Sequence, residues 1–374
     1  MKKYAIIIFI SISISLLSIE AILHTTTKTN DAFDNSWGNV KDQHLYYRHK
    51  PNSKGPGGDG ANYYNSFGFR SEEIDKDKSE NTIRIFCIGG STTYGANVNN
   101  DSTYPYILQD LLNSERLSSK KIEVQNSGVC GYLSDHSLYR IKNELLSFKP
   151  DIFIIMDGCN DINTSLVPSN VALATRKPFV SKSRHSKVLD WLKDNTKIGE
   201  LVFNSYKRIL ERLDIPRYTE DETREAIQYS LDLYAKNMKE IQEICQKEGI
   251  LFIIVNHPWI FDFRFGPPDN YTEIKKYFSI NIDDFNTLWI GAKMLNEINT
   301  SLLNSGIKVI NPQADFDNVK DKRLVFSGND YIHYNKSGNL LLASSINRTL
   351  AREYFNSQEN SINLIDTVIR YTLY

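Results

Sequence analysis

Ile83-Arg84-Ile85-Phe86-Cys87-Ile88-Gly89-Gly90-Ser91-Thr92-Thr93-Tyr94-Gly95 is a short apolar run that stops at two glycines and passes into a serine-threonine turn. Residues 83–88 have the Ile- and Phe-rich character of a strand covered on both faces. The glycines let the chain turn tightly, which leaves Ser91 at the start of a following helix. There its backbone N–H and the positive end of the helix can hold an oxyanion. Taken alone, the same strand-turn-helix unit could equally cradle a phosphate.

Outward from this unit the pattern repeats. Residues 122–125, 152–156, 250–255 and 307–310 are further strand candidates, and residues 104–113, 135–147, 224–247, 285–304 and 336–355 are helix-like. Gly249 and Gly306 sit where left-handed helix caps are expected. Strands and helices alternating through right-handed crossovers predict an α/β fold, a flavodoxin-like three-layer α/β/α sandwich around a five-stranded parallel sheet. The domain is expected over residues 81–357, with a tail at 358–374. Residues 163–223 break the alternation with mixed charge, Trp191 and a helix-like stretch from about 188 to 213. They read as an insertion after the third strand, either a wall or lid over the site or a peripheral helical pair. Residues 24–80, with Gly55-Pro56-Gly57-Gly58-Asp59-Gly60, read as a linker and an irregular segment packed onto the domain.

At the other extreme of polarity, Met1-Lys2-Lys3 precedes an apolar run from Tyr4 to Leu23, broken only by serines and Glu20. Its length suits a bilayer crossing, and the lysines would stay cytoplasmic. Residues 1–23 are therefore expected to be an uncleaved anchor. A cleaved signal peptide is the alternative, although Ser18-Ile19-Glu20-Ala21 is a poor cleavage site and Glu20 weakens the span. On either reading the rest of the chain is exported, to the periplasm or outside the cell. The 374 residues are 41% apolar and 24% charged with a net charge of −1, a globular composition without the basic excess that nucleic acid requires. Four cysteines (Cys87, Cys130, Cys159, Cys245) are too few for a disulfide scaffold, but Cys130 and Cys159 fall in candidate site loops, where a bridge would suit an oxidising compartment. No Cys/His spacing suggests zinc.

In an open parallel sheet ligands bind beyond the carboxyl ends of the strands. After the second strand comes Asn126-Ser127-Gly128-Val129-Cys130-Gly131-Tyr132, where a glycine can offer an unobstructed N–H or simply make a turn. After the third comes Asp157-Gly158-Cys159-Asn160-Asp161; the Asn160 amide can donate to an oxyanion or cap a helix. Before the last helix comes Asn329-Asp330-Tyr331-Ile332-His333-Tyr334-Asn335. His333 has the chemistry of a general base and Asp330 could orient it, while a helix cap with a surface His fits the same residues. His257, in Asn256-His257-Pro258-Trp259, lies at the end of the fourth strand as a candidate substrate contact or a ring packed by Trp259. His136, at a helix start, reads as surface.

In that order, a Ser, a Gly, an Asn and an Asp-x-x-His make the chain resemble the SGNH (GDSL-type) hydrolases over roughly residues 80–350. The resemblance implies that Ser91 is the nucleophile, His333 the base and Asp330 its orienter. It further implies an oxyanion hole of the Ser91 N–H, the Gly131 N–H and Asn160 Nδ2, with no metal and no cofactor. Gly90 stands where the family's usual Asp would be, which leaves the nucleophile untouched and points to a subgroup apart from the typical lipases and esterases. The implied reaction releases an acyl group, acetyl by preference, from an acylated glycan or a small-molecule ester. O-acyl transfer to an envelope glycan, and non-catalytic glycan binding on the same fold, are the alternatives.

Overall fold

The computed structural model describes residues 15–23, 38–55, 62–115, 117–166, 169–177, 195–213 and 215–355. A hairpin of β1 (Asn39–Asp42) and β2 (Tyr46–His49) comes first. The main sheet follows: β3 (Thr82–Gly89), β4 (Lys121–Asn126), β5 (Ile152–Met156), β6 (Leu251–Val255) and β7 (Lys308–Ile310), all parallel in the order β4-β3-β5-β6-β7. The five strands lie within one residue of their expected ends. Ile85, Phe86, Cys87 and Ile88 of β3 are buried without alternation, as suits a parallel strand covered on both faces.

The helices are α1 (Ser91–Tyr94), α2 (Tyr104–Ser114), α3 (Ser134–Asn143), α4 (Cys159–Asn163), α5 (Asn170–Thr175), α6 (Lys197–Arg212), α7 (Glu220–Glu248), α8 (Pro267–Lys275), α9 (Ile282–Asn304), α10 (Gln313–Asp317) and α11 (Lys336–Glu353). α2 packs on α11 in one outer layer, and α7 packs on α3 and α9 in the other. This is the expected α/β/α sandwich. Gly249 caps α7 in the left-handed region, at φ 69°. α7 begins four residues before its apolar pattern does, because Thr219 Oγ1 accepts from the Glu222 N–H while the Glu222 carboxylate accepts from the Thr219 N–H. The helix expected over 135–147 ends sooner, giving way to a 3-10 turn at Leu145–Phe148.

One open possibility is closed and one expectation is corrected. All four cysteines are free: Cys130 packs with Tyr64, Tyr94 and Ala96, whereas Cys159 belongs to the main core, so they occupy separate clusters. His136 is buried, not on the surface; its ring stacks on Tyr132 at 4.4 Å and its Nδ1 accepts from the Leu133 N–H at 3.2 Å. Of the apolar run at 1–23, residues 15–23 form a helix and the rest lies outside the described residues, as do 188–194 of the insertion and the tail 358–374. Among the described residues no helix is long and apolar enough to cross a membrane.

β3 has β4 on one side and β5 on the other. The chain leaving β3 therefore emerges where the winding reverses, the place at which such sheets bind ligands. α1 starts there.

Candidate active site

Ser91 is the first residue of α1, half-buried at the end of β3. Its Oγ lies 2.7 Å from His333 Nε2, and His333 Nδ1 lies 2.6 Å from Asp330 Oδ2. A carboxylate can only accept, so Nδ1 carries the proton and Nε2 is left to accept from the Ser91 hydroxyl. Asp330 Oδ1 accepts from the backbone N–H of Ile332 (2.9 Å) and of His333 (3.1 Å), and Oδ2 also accepts from Asn97 Nδ2 at 3.2 Å. Burial by itself would raise the Asp330 carboxyl, but the hydrogen bond and charge of His333, with the two backbone donors, outweigh it and hold it down to about 2. The carboxylate is thus ionised wherever the imidazole needs orienting.

The loop carrying this pair is fixed from below. Tyr334 is buried and its hydroxyl donates to the Pro258 carbonyl at 2.9 Å; Asn335 caps α11 by accepting from the Gly338 N–H at 3.0 Å. His257 lies in this support. It is buried, 3.1 Å from Tyr334 Oη, with its ring 4.5 Å from that of Trp259. Its partners are those of a packed ring inside the protein, and with Trp259, Asn296 and Gln313 it also lines a cavity. Burial pushes its imidazole down to about 3.

Gly131 sits at φ 75°, a conformation glycine adopts without strain. A carbon added there would stand 3.5 Å from Tyr47 Oη and 3.6 Å from Val171 Cγ2, so those two side chains flank the Gly131 backbone. Asn160, in the first turn of α4, donates from Nδ2 to the Tyr132 carbonyl at 2.8 Å. That bond fixes the amide and spends one of its two hydrogens, leaving the other for a ligand. Gly90 is explained by the same amide: a side chain at position 90 would run into Asn160 Nδ2. The structure therefore brings Ser91, His333 and Asp330 into one hydrogen-bonded chain. It also sets Asn160 against the turn that carries Ser91, with Gly131 on the neighbouring strand's loop.

Several supporting residues are not evident from sequence. The Tyr47 hydroxyl donates to the Cys130 carbonyl and the Tyr132 hydroxyl to the Tyr47 carbonyl, so the β1–β2 hairpin, in a segment expected to be irregular, backs the Gly131 loop. Arg70 is buried beneath α1, donating to the carbonyls of Tyr94 and Gly95 (both 2.8 Å) and to Asn100 Oδ1 (2.8 Å). Arg176, just after α5, reaches the fully buried Asp161 at 2.6 Å; Asp161 also accepts from Ser134 Oγ at 2.8 Å. The neighbour of Asn160 is thereby tied to the insertion. Arg70 is an ordinary charge in sequence, because its acceptors at Tyr94, Gly95 and Asn100 lie 24 to 30 residues away.

The sequence profile of the GDSL-like Lipase/Acylhydrolase family matches residues 87–272, a span that contains Ser91, Gly131 and Asn160 and stops short of the Asp330–His333 loop that the fold returns to them. The chain belongs to this family and is a hydrolase of ester bonds. It is similar to the lipase/acylhydrolase from Enterococcus faecalis (16% identity, 74% of this chain and 100% of that chain, TM-score 0.41). It is also similar to a GDSL-like lipase from Bacteroides thetaiotaomicron (12%, 75% and 92%, 0.40) and to a catalytic mutant of an acetylxylan esterase from Geobacillus stearothermophilus (15%, 73% and 95%, 0.40). No curated protein sequence matches the chain.

Proposed function

We propose that the protein cleaves an acyl ester, acetyl by preference, on a carbohydrate or small alcohol through an acyl-Ser91 intermediate. The observation that carries this reading is the Ser91–His333–Asp330 chain, 2.7 and 2.6 Å per step. His333 takes the Ser91 proton as Oγ attacks the carbonyl carbon. The tetrahedral oxyanion is met by the N–H groups of Ser91 and Gly131 and by the free hydrogen of Asn160 Nδ2. His333 then gives its proton to the departing alcohol, and the reverse sequence with water releases the acid. Asp330, ionised throughout, stabilises the imidazolium between the two transfers. A small acyl group is favoured by Tyr47 and Val171, which stand beside Gly131. Export of the catalytic domain, read from residues 1–23, would bring it to acylated surface or extracellular glycans.

Mass-spectrometric detection of acyl release across acetylated oligosaccharides and simple esters tests the substrate. Free acetate is expected, with rates falling as the acyl chain lengthens; equal rates on long-chain esters, or acyl transfer to an added glycan, would count against the reading. Asn160→Ala is expected to lower kcat by on the order of 10²–10³-fold with little change in KM, since it removes a donor used in the transition state. An unchanged kcat would reduce Asn160 to a helix-terminal residue.

A further inference from the structure

α6 carries an apolar face that the sandwich does not cover. None of the side chains described between residues 195 and 213 is buried. Val202, Tyr206, Ile209 and Leu213 are 46–62% exposed, with Leu201 at 59% beside them. Their spacing of four, three and four puts the first four on one stripe. Its 16 residues make a helix that is marginal in water without packing, and α6 makes no extensive contact with the described strands and helices of the domain.

What α6 does contact is the end of the apolar run. The Glu20 carboxylate accepts from the backbone N–H groups of Lys197 (2.5 Å) and Ile198 (2.9 Å), the donors that a helix start leaves without partners. In the same short helix Leu16, Leu17 and Ile19 are 47–70% exposed. An acidic residue is costly within a membrane span. Bound to the start of α6, Glu20 belongs at the level of the headgroups, which is where a span running from Tyr4 to Leu23 would end.

We propose that α6 lies on the bilayer surface beside the emerging anchor, its Val202–Leu213 stripe set into the boundary between headgroups and acyl chains. The inference rests on reading residues 1–23 as a membrane segment. The charge of the helix suits the location: four basic residues against two acidic ones give it an attraction to anionic lipid. The insertion then joins the domain to the membrane at a second point, holding the Ser91 site near the surface rather than at the end of a free tether.

The test uses the full chain carrying Tyr206→Trp, reconstituted in phosphatidylcholine–phosphatidylglycerol vesicles with and without brominated acyl chains. The emission added by the new indole, after subtraction of the unmodified chain, is expected to fall roughly twofold in brominated vesicles. Ile209→Glu with Leu213→Glu should abolish that quenching while leaving hydrolysis of a soluble ester unchanged, which shows that the domain still folds. A chain that does not float with vesicles overturns the anchor reading and the inference with it. A chain that floats but shows no quenching at position 206 overturns the inference alone, whether α6 is covered by a second copy or by another segment of the same chain.

Discussion

Ser91→Ala is expected to lower kcat on an activated acetyl ester by on the order of 10⁴–10⁶-fold, as removal of a nucleophile does where the residues act as a unit. The size follows from what the substitution removes. Without Oγ the base at His333 has no proton to take, and water is left to attack without a covalent intermediate. The oxyanion donors remain, so a residual rate above the uncatalysed one should survive. His333→Ala should cost about as much, and the double variant scarcely more than either alone, because neither residue works without the other. Folding should be little affected: Ser91 is not in the core, and its hydroxyl's hydrogen bond is to His333. Turnover of purified variants measured with equal thermal midpoints checks this, and near-normal activity in Ser91→Ala would remove Ser91 from the mechanism.

The second large effect is on stability, and acid drives it. His49, His136 and His257 are buried, and burial, assisted by Arg140, Arg176 and His333 respectively, pushes each imidazole down to about 3. Asp157 is also buried, and burial followed by the charge of Asp161 pushes its carboxyl up to about 8. Between about pH 4 and 6.5 the unfolded chain binds three imidazole protons that the folded chain does not. The folded chain binds one carboxyl proton that the unfolded chain does not. The net excess of two favours unfolding as pH falls, at up to ~2.7 kcal/mol per pH unit. Above pH 6.5 only Asp157 remains, and it reverses the slope to a loss of up to ~1.4 kcal/mol per unit toward pH 8. Asp330 has the opposite signature from Asp157. Lowered to about 2, it contributes stability above its unfolded value of 3.8 that is lost as pH falls through 2. Denaturant unfolding from pH 4 to 8 should therefore show a maximum near pH 6–7 and a steep fall on the acid side. A flat profile from pH 5 to 7 would mean that the three histidines ionise without unfolding the chain.

The parts of the molecule that can be read from sequence are those whose cause is local. A parallel strand buried on both faces carries a near-continuous apolar run, which is why β5 and β6, and β3 apart from Arg84, can be located within a residue. Ser91, Gly131, Asn160 and the Asp330–His333 pair can be picked out because each follows a strand or precedes a helix in a short block. What decides the remaining features lies elsewhere in the chain. The β1–β2 hairpin acquires its role through Tyr47 and the Cys130 carbonyl, 83 residues apart. His136 has the sequence surroundings of a surface residue, and only stacking on Tyr132 shows it to be core. Arg70 and Arg176 are ordinary charges in sequence; their burial depends on acceptors assembled by the fold. The glycine at position 90 reads as a departure from a pattern until Asn160 is seen to occupy the space a side chain would need.

The central claim is that Ser91, activated by His333, is the atom that bonds to substrate. Reaction with a fluorophosphonate followed by peptide mass mapping tests it most directly, because the adduct is stable and identifies the residue. The prediction is a single adduct on Ser91, formed in step with loss of esterase activity and absent from His333→Ala. An adduct on another residue with matching inactivation, or full activity in protein labelled at Ser91, would contradict it.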